Sequence, residues 1–165
     1  MSKRSAIIGL VAVAAVTAFF ARDRLFPRKL PALVLETSQG GTVALRDTGG
    51  KEYGVILYFS SVPGDQHAAL FPHAVGTYKA MQASARYHVL VVFGASDLQV
   101  ARDFAAKVDI PVVLDPGKEL ARRLGFTYLG IVFYRPSGKI VKKVAEASLM
   151  RVIDLDDHLD VLRGR

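Results

Sequence analysis

The sequence predicts an α/β domain in which helices cover both faces of a central mixed β-sheet, preceded by a single transmembrane helix. Residues 55–59 and 89–93 are continuous apolar runs, which are typical of strands buried on both faces. Helical patterns alternate with these runs, and strand–helix–strand connections place helices over a sheet. Residues 6–21 contain no charged side chain, which indicates the membrane segment.

A β-hairpin opens the soluble part, because short apolar segments at residues 33–35 and 42–45 flank a glycine pair. The first buried strand follows. Residues 66–86 then form a helical pattern that we expect to be interrupted at Pro72, since proline is disfavoured in a helix interior.

The next helix follows the second buried strand. Ser96 is a candidate N-cap with Gln99 three residues later, a capping-box spacing that predicts a helix to about residue 108. Residues 112–114 are a short apolar segment, and residues 118–124 predict a short helix that ends at a glycine.

Residues 131–134 predict a third long strand, and a turn at 135–138 joins it to a hairpin partner at 139–144. A closing helix would present one apolar face, formed by Leu149, Val152, Ile153, Leu159 and Leu162. The predicted order is therefore hairpin, β, α, β, α, α, β, β, α.

Charge is concentrated at the amino-terminal end. The chain has 165 residues and a net charge of +7, and residues 1–30 hold six basic residues and one acidic residue. We therefore predict a membrane anchor with a basic flank over residues 1–30 and one soluble domain over residues 31–165. No basic stripe with interleaved aromatic residues is present, so nucleic acid is not an expected partner.

The uncharged segment at residues 6–21 would span roughly 24 Å as a helix, and flanking basic side chains can reach the headgroups. A single-pass anchor in the lipid bilayer is the favoured interpretation. A cleaved signal peptide is one alternative, because Lys3 and Arg4 precede the segment and Val16-Thr17-Ala18 resembles a cleavage site. A buried core helix is the second alternative.

Two features of the sequence predict opposite orientations of the anchor in the membrane. Four basic residues follow the segment and two precede it, which by the positive-inside rule places the domain in the cytoplasm. A basic start followed by an exported domain is the common pattern of short amino-terminal anchors. We expect the soluble domain on the extracytoplasmic, periplasmic side.

Four stretches, covering most of residues 30–145, resemble the thioredoxin-like redoxins of the TlpA and AhpC/TSA group. They are LPALVLETSQGGTVALRDTGGKEYGVILYF, SSVPGDQHAALFP, IPVVLDPGKELARRLGF and GIVFYRPSGKIV. Each motif is weak alone, and their order and spacing make the resemblance specific. It implies a thioredoxin-like three-layer sandwich with an amino-terminal hairpin.

The resemblance also implies where a redox site would lie. The proline of the kinked active-site helix corresponds to Pro72, which aligns the redox tetrad with Gly64, Asp65, Gln66 and His67. Aligned without the proline, the tetrad shifts by one residue, to positions 63–66. The cis-proline that faces the tetrad would fall near Leu129 or Gly130, where no proline stands.

The chain contains no cysteine. The thiolate is the nucleophile of thiol–disulfide exchange and of thiol peroxidases, so the sequence excludes both activities. Losing the cis-proline as well as the cysteines puts the substrate groove itself in doubt.

Asp65 and His67, with His73 further along, could form an acid–base pair or part of a metal site. The simpler interpretation makes Asp65 a helix N-cap and His67 a solvated first-turn residue. The four histidines do not have the spacing of a zinc site. We therefore predict no catalytic residue, no metal and no cofactor.

Two side-chain groups lie outside the tetrad, one aromatic and one acidic. Phe126, Tyr128 and Tyr134 either form an exposed aromatic patch suited to a protein interface or are buried in the core. The acidic residues near the carboxyl terminus are interpreted as a solvated helix face, and they are Asp154, Asp156, Asp157 and Asp160.

Three functions remain open. The favoured one is a non-catalytic, membrane-anchored domain that binds protein as an accessory or assembly subunit of a larger respiratory or photosynthetic membrane complex. The second is a redoxin-type oxidoreductase or antioxidant protein that uses Asp65 and His67. The third is a ligand-binding module in the vacated groove between residues 63–67 and 128–130.

Overall fold

The computed structural model describes residues 29–60, 70–95, 97–108 and 110–145. In these ranges the strands are β1 Val34–Thr37, β2 Thr42–Ala44, β3 Tyr53–Phe59, β4 Tyr87–Phe93, β5 Val112–Leu114, β6 Leu129–Tyr134 and β7 Ile140–Ala145. The helices are α1 Leu70–Gln82, α2 Leu98–Val108 and α3 Glu119–Leu124.

One mixed sheet contains all seven strands, in the order β2-β1-β5-β4-β3-β6-β7. β3, β4 and β5 are parallel, while β6 pairs antiparallel with β3 and with β7. The predicted hairpin is confirmed as the antiparallel β1–β2 pair. The predicted strands at 55–59, 89–93 and 131–134 are confirmed, and each begins two residues earlier than predicted. The short apolar segment at 112–114 forms β5.

Helices cover both faces of this sheet. Alternate residues of β3 face opposite sides, so Val55 and Leu57 belong to one core cluster and Ile56 and Tyr58 to another. The first cluster includes Met81 of α1 and residues of α2; the second includes Leu120, Leu124 and other residues of α3. The described residues therefore form the predicted three layers, with α1 and α2 on the first face and α3 on the second.

Two helices differ in detail from the sequence-based prediction. α1 runs without interruption through Pro72 and ends at Gln82 rather than at residue 86. Pro72 is the third residue of this helix, where a missing backbone N–H costs no intrahelical hydrogen bond. The Ser84 hydroxyl accepts a hydrogen bond from the Arg86 backbone N–H at 3.2 Å, in the turn that leads into β4.

The carboxylate of Asp97 caps α2. The Asp97 carboxylate accepts hydrogen bonds from the backbone N–H groups of Gln99 and Val100, at 2.9 and 3.2 Å. The helix begins at Leu98, so the carboxylate of the preceding residue is the group that reaches these two amides. The Gln99 side chain donates instead to Asp103 at 2.8 Å.

Some sequence-based predictions lie outside the described residues, namely the anchor at 6–21, the cap residue Ser96, the tetrad at 64–67 and the closing helix. Among the residues that are described, no helix is long and apolar enough to cross a membrane.

Aromatic rings lie against glycines on the second face of the sheet. A Cβ atom added to Gly54 would fall within the Tyr134 ring, and one added to Gly130 would fall within the Phe126 ring. A Cβ atom on Gly94 would meet the Tyr58 hydroxyl. These glycines are required because the rings occupy the space that a side chain would fill.

The first described residues are fixed to the sheet. Lys29 forms a bridge with Lys139, and the backbone N–H of Leu30 donates to the Gly138 carbonyl at 2.7 Å. The Arg46 guanidinium donates two hydrogen bonds to the Leu30 carbonyl, at 2.8 and 2.5 Å. Leu30 itself is buried in the second core cluster, so the chain enters the domain at a defined point.

We predict that Gly54→Ala lowers the free energy of unfolding by about 1–3 kcal/mol, because the new methyl group must displace the buried Tyr134 ring. Urea unfolding of the full chain in a mild detergent measures the change.

Gly76→Ala is the matched control. Gly76 is exposed within α1 and has open space where a Cβ would lie, so alanine should stabilise the protein by up to about 1 kcal/mol. Equal effects of the two substitutions would contradict a packing role for Gly54.

Candidate functional site

The carboxyl ends of β3, β4 and β5 and the start of β6 meet at one end of the sheet, which we call the carboxyl edge. Hydrogen bonds extend the sheet beyond the strands here. The backbone N–H of Gly94 donates to the Phe59 carbonyl at 2.7 Å, and that of Asp115 donates to the Phe93 carbonyl at 2.8 Å. In parallel sheets this edge is the usual ligand-binding position.

Asp115 links the carboxyl edge to α3. Its carboxylate accepts hydrogen bonds from the backbone N–H groups of Glu119 at 2.9 Å and of Leu120 at 3.0 Å. A longer bond comes from Ala121 at 3.4 Å. Burial raises the pKa of Asp115, and these amide bonds oppose the increase. Because both carboxylate oxygens are engaged and only 2% of the residue is exposed, Asp115 acts as a structural cap.

Tyr58 places a buried hydroxyl at the same edge. Only 1% of the residue is exposed, and within the described part of the chain its hydroxyl has no hydrogen-bond partner. The ring stacks on Phe126 with centroids 5.8 Å apart. Burial, and to a lesser extent the charge of Asp115, raises the pKa of Tyr58. The phenol therefore stays protonated at neutral pH and provides no nucleophile.

Leu129 and Gly130, the predicted cis-proline positions, are the first residues of β6. They pair in register with Phe59 and Tyr58, and every peptide bond among the described residues is trans. The preceding carbonyl, that of Tyr128, accepts a hydrogen bond from the Ser60 backbone N–H at 2.7 Å. Leu129 packs against the first core cluster, so this segment is held by the sheet on both sides.

The predicted aromatic patch is divided between surface and core. Tyr128 is 56% exposed at the carboxyl edge, whereas Phe126 and Tyr134 are buried in the second core cluster. Phe126 covers Gly130, and Tyr134 lies at the opposite end of the sheet over Gly54. Tyr128 is therefore the aromatic residue of this group that is accessible to a partner.

The tetrad residues Gly64, Asp65, Gln66 and His67 lie outside the described residues. The side chain of His73 is not described either, although its backbone belongs to α1. His88 lies near the start of β4, opposite the carboxyl edge, and burial lowers its pKa. In residues 29–60, 70–95, 97–108 and 110–145, no group of three or more side chains could hold a metal ion.

Sequence reasoning missed the buried polar groups of the carboxyl edge, Tyr58 and Asp115. Asp115 gave a usable signal, since it follows a buried strand and precedes a short helix. No sequence signal marks the buried hydroxyl of Tyr58, because an aromatic residue inside an apolar run has the same pattern as any other core residue. Only the sheet register brings the two into electrostatic contact.

No protein-family model matches the sequence, and no curated protein matches it. Solved structures do match. A thiol-disulfide oxidoreductase from Bacteroides fragilis is 15% identical, with a TM-score of 0.56 over 76% of this chain and 97% of that one. A peroxiredoxin Q mutant from Xanthomonas campestris is 18% identical, with a TM-score of 0.63 over 85% and 98% of the two chains.

The pneumococcal exposed lipoprotein thioredoxin from Streptococcus pneumoniae is 22% identical, with a TM-score of 0.57 over 74% of this chain and 97% of that one. These similarities establish a thioredoxin-like fold. The protein from Bacteroides fragilis is named a thiol-disulfide oxidoreductase, whereas this chain contains no cysteine.

We predict that Tyr58→Phe leaves the free energy of unfolding unchanged or raises it by about 1 kcal/mol, because it removes a buried hydroxyl that has no partner. Tyr134→Phe should behave alike, since the Tyr134 hydroxyl is also buried without a partner in the described residues. A loss of more than about 1 kcal/mol in urea unfolding would show that the hydroxyl does have a partner.

Asp115→Asn should lower the free energy of unfolding by about 1–2 kcal/mol, because the amide nitrogen cannot accept the helix N–H bonds. The loss should depend on pH. Since the folded pKa of Asp115 is raised above its ordinary value, its contribution to stability is fully present below the unfolded pKa. That contribution decreases as pH rises through the folded pKa.

The cost of Asp115→Asn should therefore be larger at acidic pH than at neutral pH. Urea unfolding of both proteins across this pH range tests the sign. A cost that increases with pH would mean that the helix amides outweigh burial in setting the pKa of Asp115.

Proposed function

We propose that this chain is a redoxin-type domain that acts without thiol chemistry, by binding protein at its carboxyl edge. In this role it is an accessory or assembly subunit of a larger respiratory or photosynthetic membrane complex. The observation that carries the proposal is a thioredoxin-like fold in a chain without cysteine. Disulfide exchange requires a thiolate. In a chain without cysteine, the remaining basis for a function of this fold is binding at its surface.

The carboxyl edge has features suited to a protein partner. Tyr128 is exposed there, and its backbone is held by the hydrogen bond from Ser60. Gly117 and Lys118, which precede α3, are also exposed at this edge. An aromatic side chain on a rigid backbone provides contact area at low entropic cost, and tyrosine is enriched in protein interfaces.

Membrane attachment is part of this proposal. The uncharged segment at residues 6–21 and the basic residues after it support a single-pass anchor in the lipid bilayer. The soluble domain is placed on the extracytoplasmic side. Its partners are then the protein subunits of a complex in the same membrane.

Extraction of the native membrane in a gentle detergent, followed by a native gel and mass spectrometry, tests the proposal. A large assembly of defined composition that contains this chain is the expected result. A species of the mass of one chain, 17.9 kDa, with no copurifying protein, would overturn the accessory-subunit role.

The second candidate function is a redoxin-type oxidoreductase or antioxidant protein that uses residues other than cysteine. The structural neighbours favour it over the accessory-subunit role, since they include a thiol-disulfide oxidoreductase and a peroxiredoxin Q. Asp65 and His67 are the candidate residues, because the resemblance aligns them with the redox tetrad.

Peroxide-reduction and disulfide-reduction assays on the full chain discriminate this candidate. The proteins compared are the native chain, Asp65→Ala and His67→Ala. A rate above background that falls in both variants would establish the enzymatic role, whereas background rates in all three proteins would eliminate it.

A further inference from the structure

The end of the sheet opposite the carboxyl edge is basic. We call it the amino edge, because β3 and β4 begin there and β6 ends there. Its basic side chains outnumber the acidic ones, Asp47 and Glu52. The basic residues are Lys29, Arg46, Lys51, Arg86, Arg135 and Lys139.

Two guanidinium groups are held at this edge by aromatic rings. Arg135 lies 5.5 Å from the centroid of the Tyr53 ring, and Arg86 lies 5.7 Å from the same ring. Arg86 also forms an ion pair with Glu52 at 2.9 Å, and its hydrogen bond lowers the pKa of Glu52. The ring keeps the positive charges at the rim of the sheet.

The chain that follows the uncharged segment enters the domain at the same edge. The Lys29–Lys139 bridge and the Arg46–Leu30 hydrogen bonds fix this entry point. Eight peptide steps separate residue 21 from residue 29, so a fully extended connection measures at most about 28 Å. The connecting residues 22–28 contain three arginines and one aspartate.

We propose that the amino edge lies against the anionic headgroups of the lipid bilayer and that the carboxyl edge points away from it. The proposal rests on the membrane anchor of the proposed function. Basic residues next to a membrane segment are attracted to anionic lipids, and this edge is where the short connection holds the domain.

The opposite orientation would use nearly the whole length of the connection between the uncharged segment and residue 29. The seven residues of β3 separate the two edges by about 20 Å, and the headgroup layer adds about 6 Å. With the carboxyl edge against the membrane, residue 29 would lie about 26 Å or more above the hydrocarbon. The connection would then be stretched almost to its limit, at a large cost in conformational entropy.

This orientation restricts the partner. Tyr128 and the rest of the carboxyl edge would stand at least about 20 Å above the headgroups. The partner would therefore contact this edge through a part that projects from the membrane, rather than through a transmembrane helix.

The absence of cysteine allows a direct test on the full chain. Ser137→Cys places a single thiol in the exposed turn of the amino edge, and Gly117→Cys places one at the carboxyl edge, where open space surrounds the added Cβ. Each variant is labelled with a fluorophore and reconstituted in phosphatidylcholine vesicles with about 30% phosphatidylglycerol. A lipid with a spin label on its headgroup then quenches the fluorophore.

We expect the label at position 137 to be quenched at least about twofold more strongly than the label at position 117, because quenching requires proximity to the headgroups. Omitting phosphatidylglycerol should reduce this difference. Arg135→Gln combined with Lys139→Gln should also reduce it. The charge-matched pair Lys107→Gln and Arg122→Gln, on exposed positions of α2 and α3, should not.

Two failures are distinguishable. If the chain does not float with the vesicles after an alkaline wash, the anchor fails and the orientation fails with it. If the chain floats but the two labels are quenched equally, or position 117 more strongly, the orientation alone is overturned. If the difference in quenching between the two labels is unchanged by omitting phosphatidylglycerol and by the charge substitutions, the proposed contact with anionic headgroups is overturned.

Discussion

Where a strand residue lacks a side chain, an aromatic ring can lie directly against the backbone of a β-sheet. Three such places occur on the second face of this sheet, in three different strands or at their ends. The pairs are Tyr134 over Gly54, Tyr58 over Gly94 and Phe126 over Gly130. The Tyr134–Gly54 pair depends on strand register, because β6 and β3 pair with these two residues directly opposite each other. A slip of β6 by one residue would move the Tyr134 ring to the other face of the sheet.

The position of α3 depends on this packing. Six residues are too few for a stable isolated helix, so α3 is held at both ends by groups of the sheet. Asp115 caps its first amides, and Lys143 of β7 donates to the Leu124 carbonyl at its last turn, at 2.8 Å. Gly125, with a φ of 66°, then reverses the chain so that Phe126 can cover its glycine. The helix and the ring together close the second face.

The two edges of the sheet have different chemical character as a result. At the carboxyl edge, buried polar groups are enclosed by α3, and Tyr128 remains accessible. At the amino edge, guanidinium groups rest on aromatic rings and the chain enters the domain. The thioredoxin-like fold without a thiol thus has an exposed tyrosine at one edge of the sheet and a basic surface at the other.

Local patterns in the sequence determined the hairpin, the long buried strands and the short helix ending at Gly125, because each depends on neighbouring residues. The sequence also excluded thiol chemistry, since composition alone decides it. Tertiary structure decided what neighbours could not. Asp97 caps α2, and Tyr128 is exposed while Phe126 and Tyr134 are buried. The charge of Asp115 acts on the buried Tyr58 hydroxyl. These outcomes depend on strand register and on which face of the sheet a helix covers, and contacts between distant segments fix both.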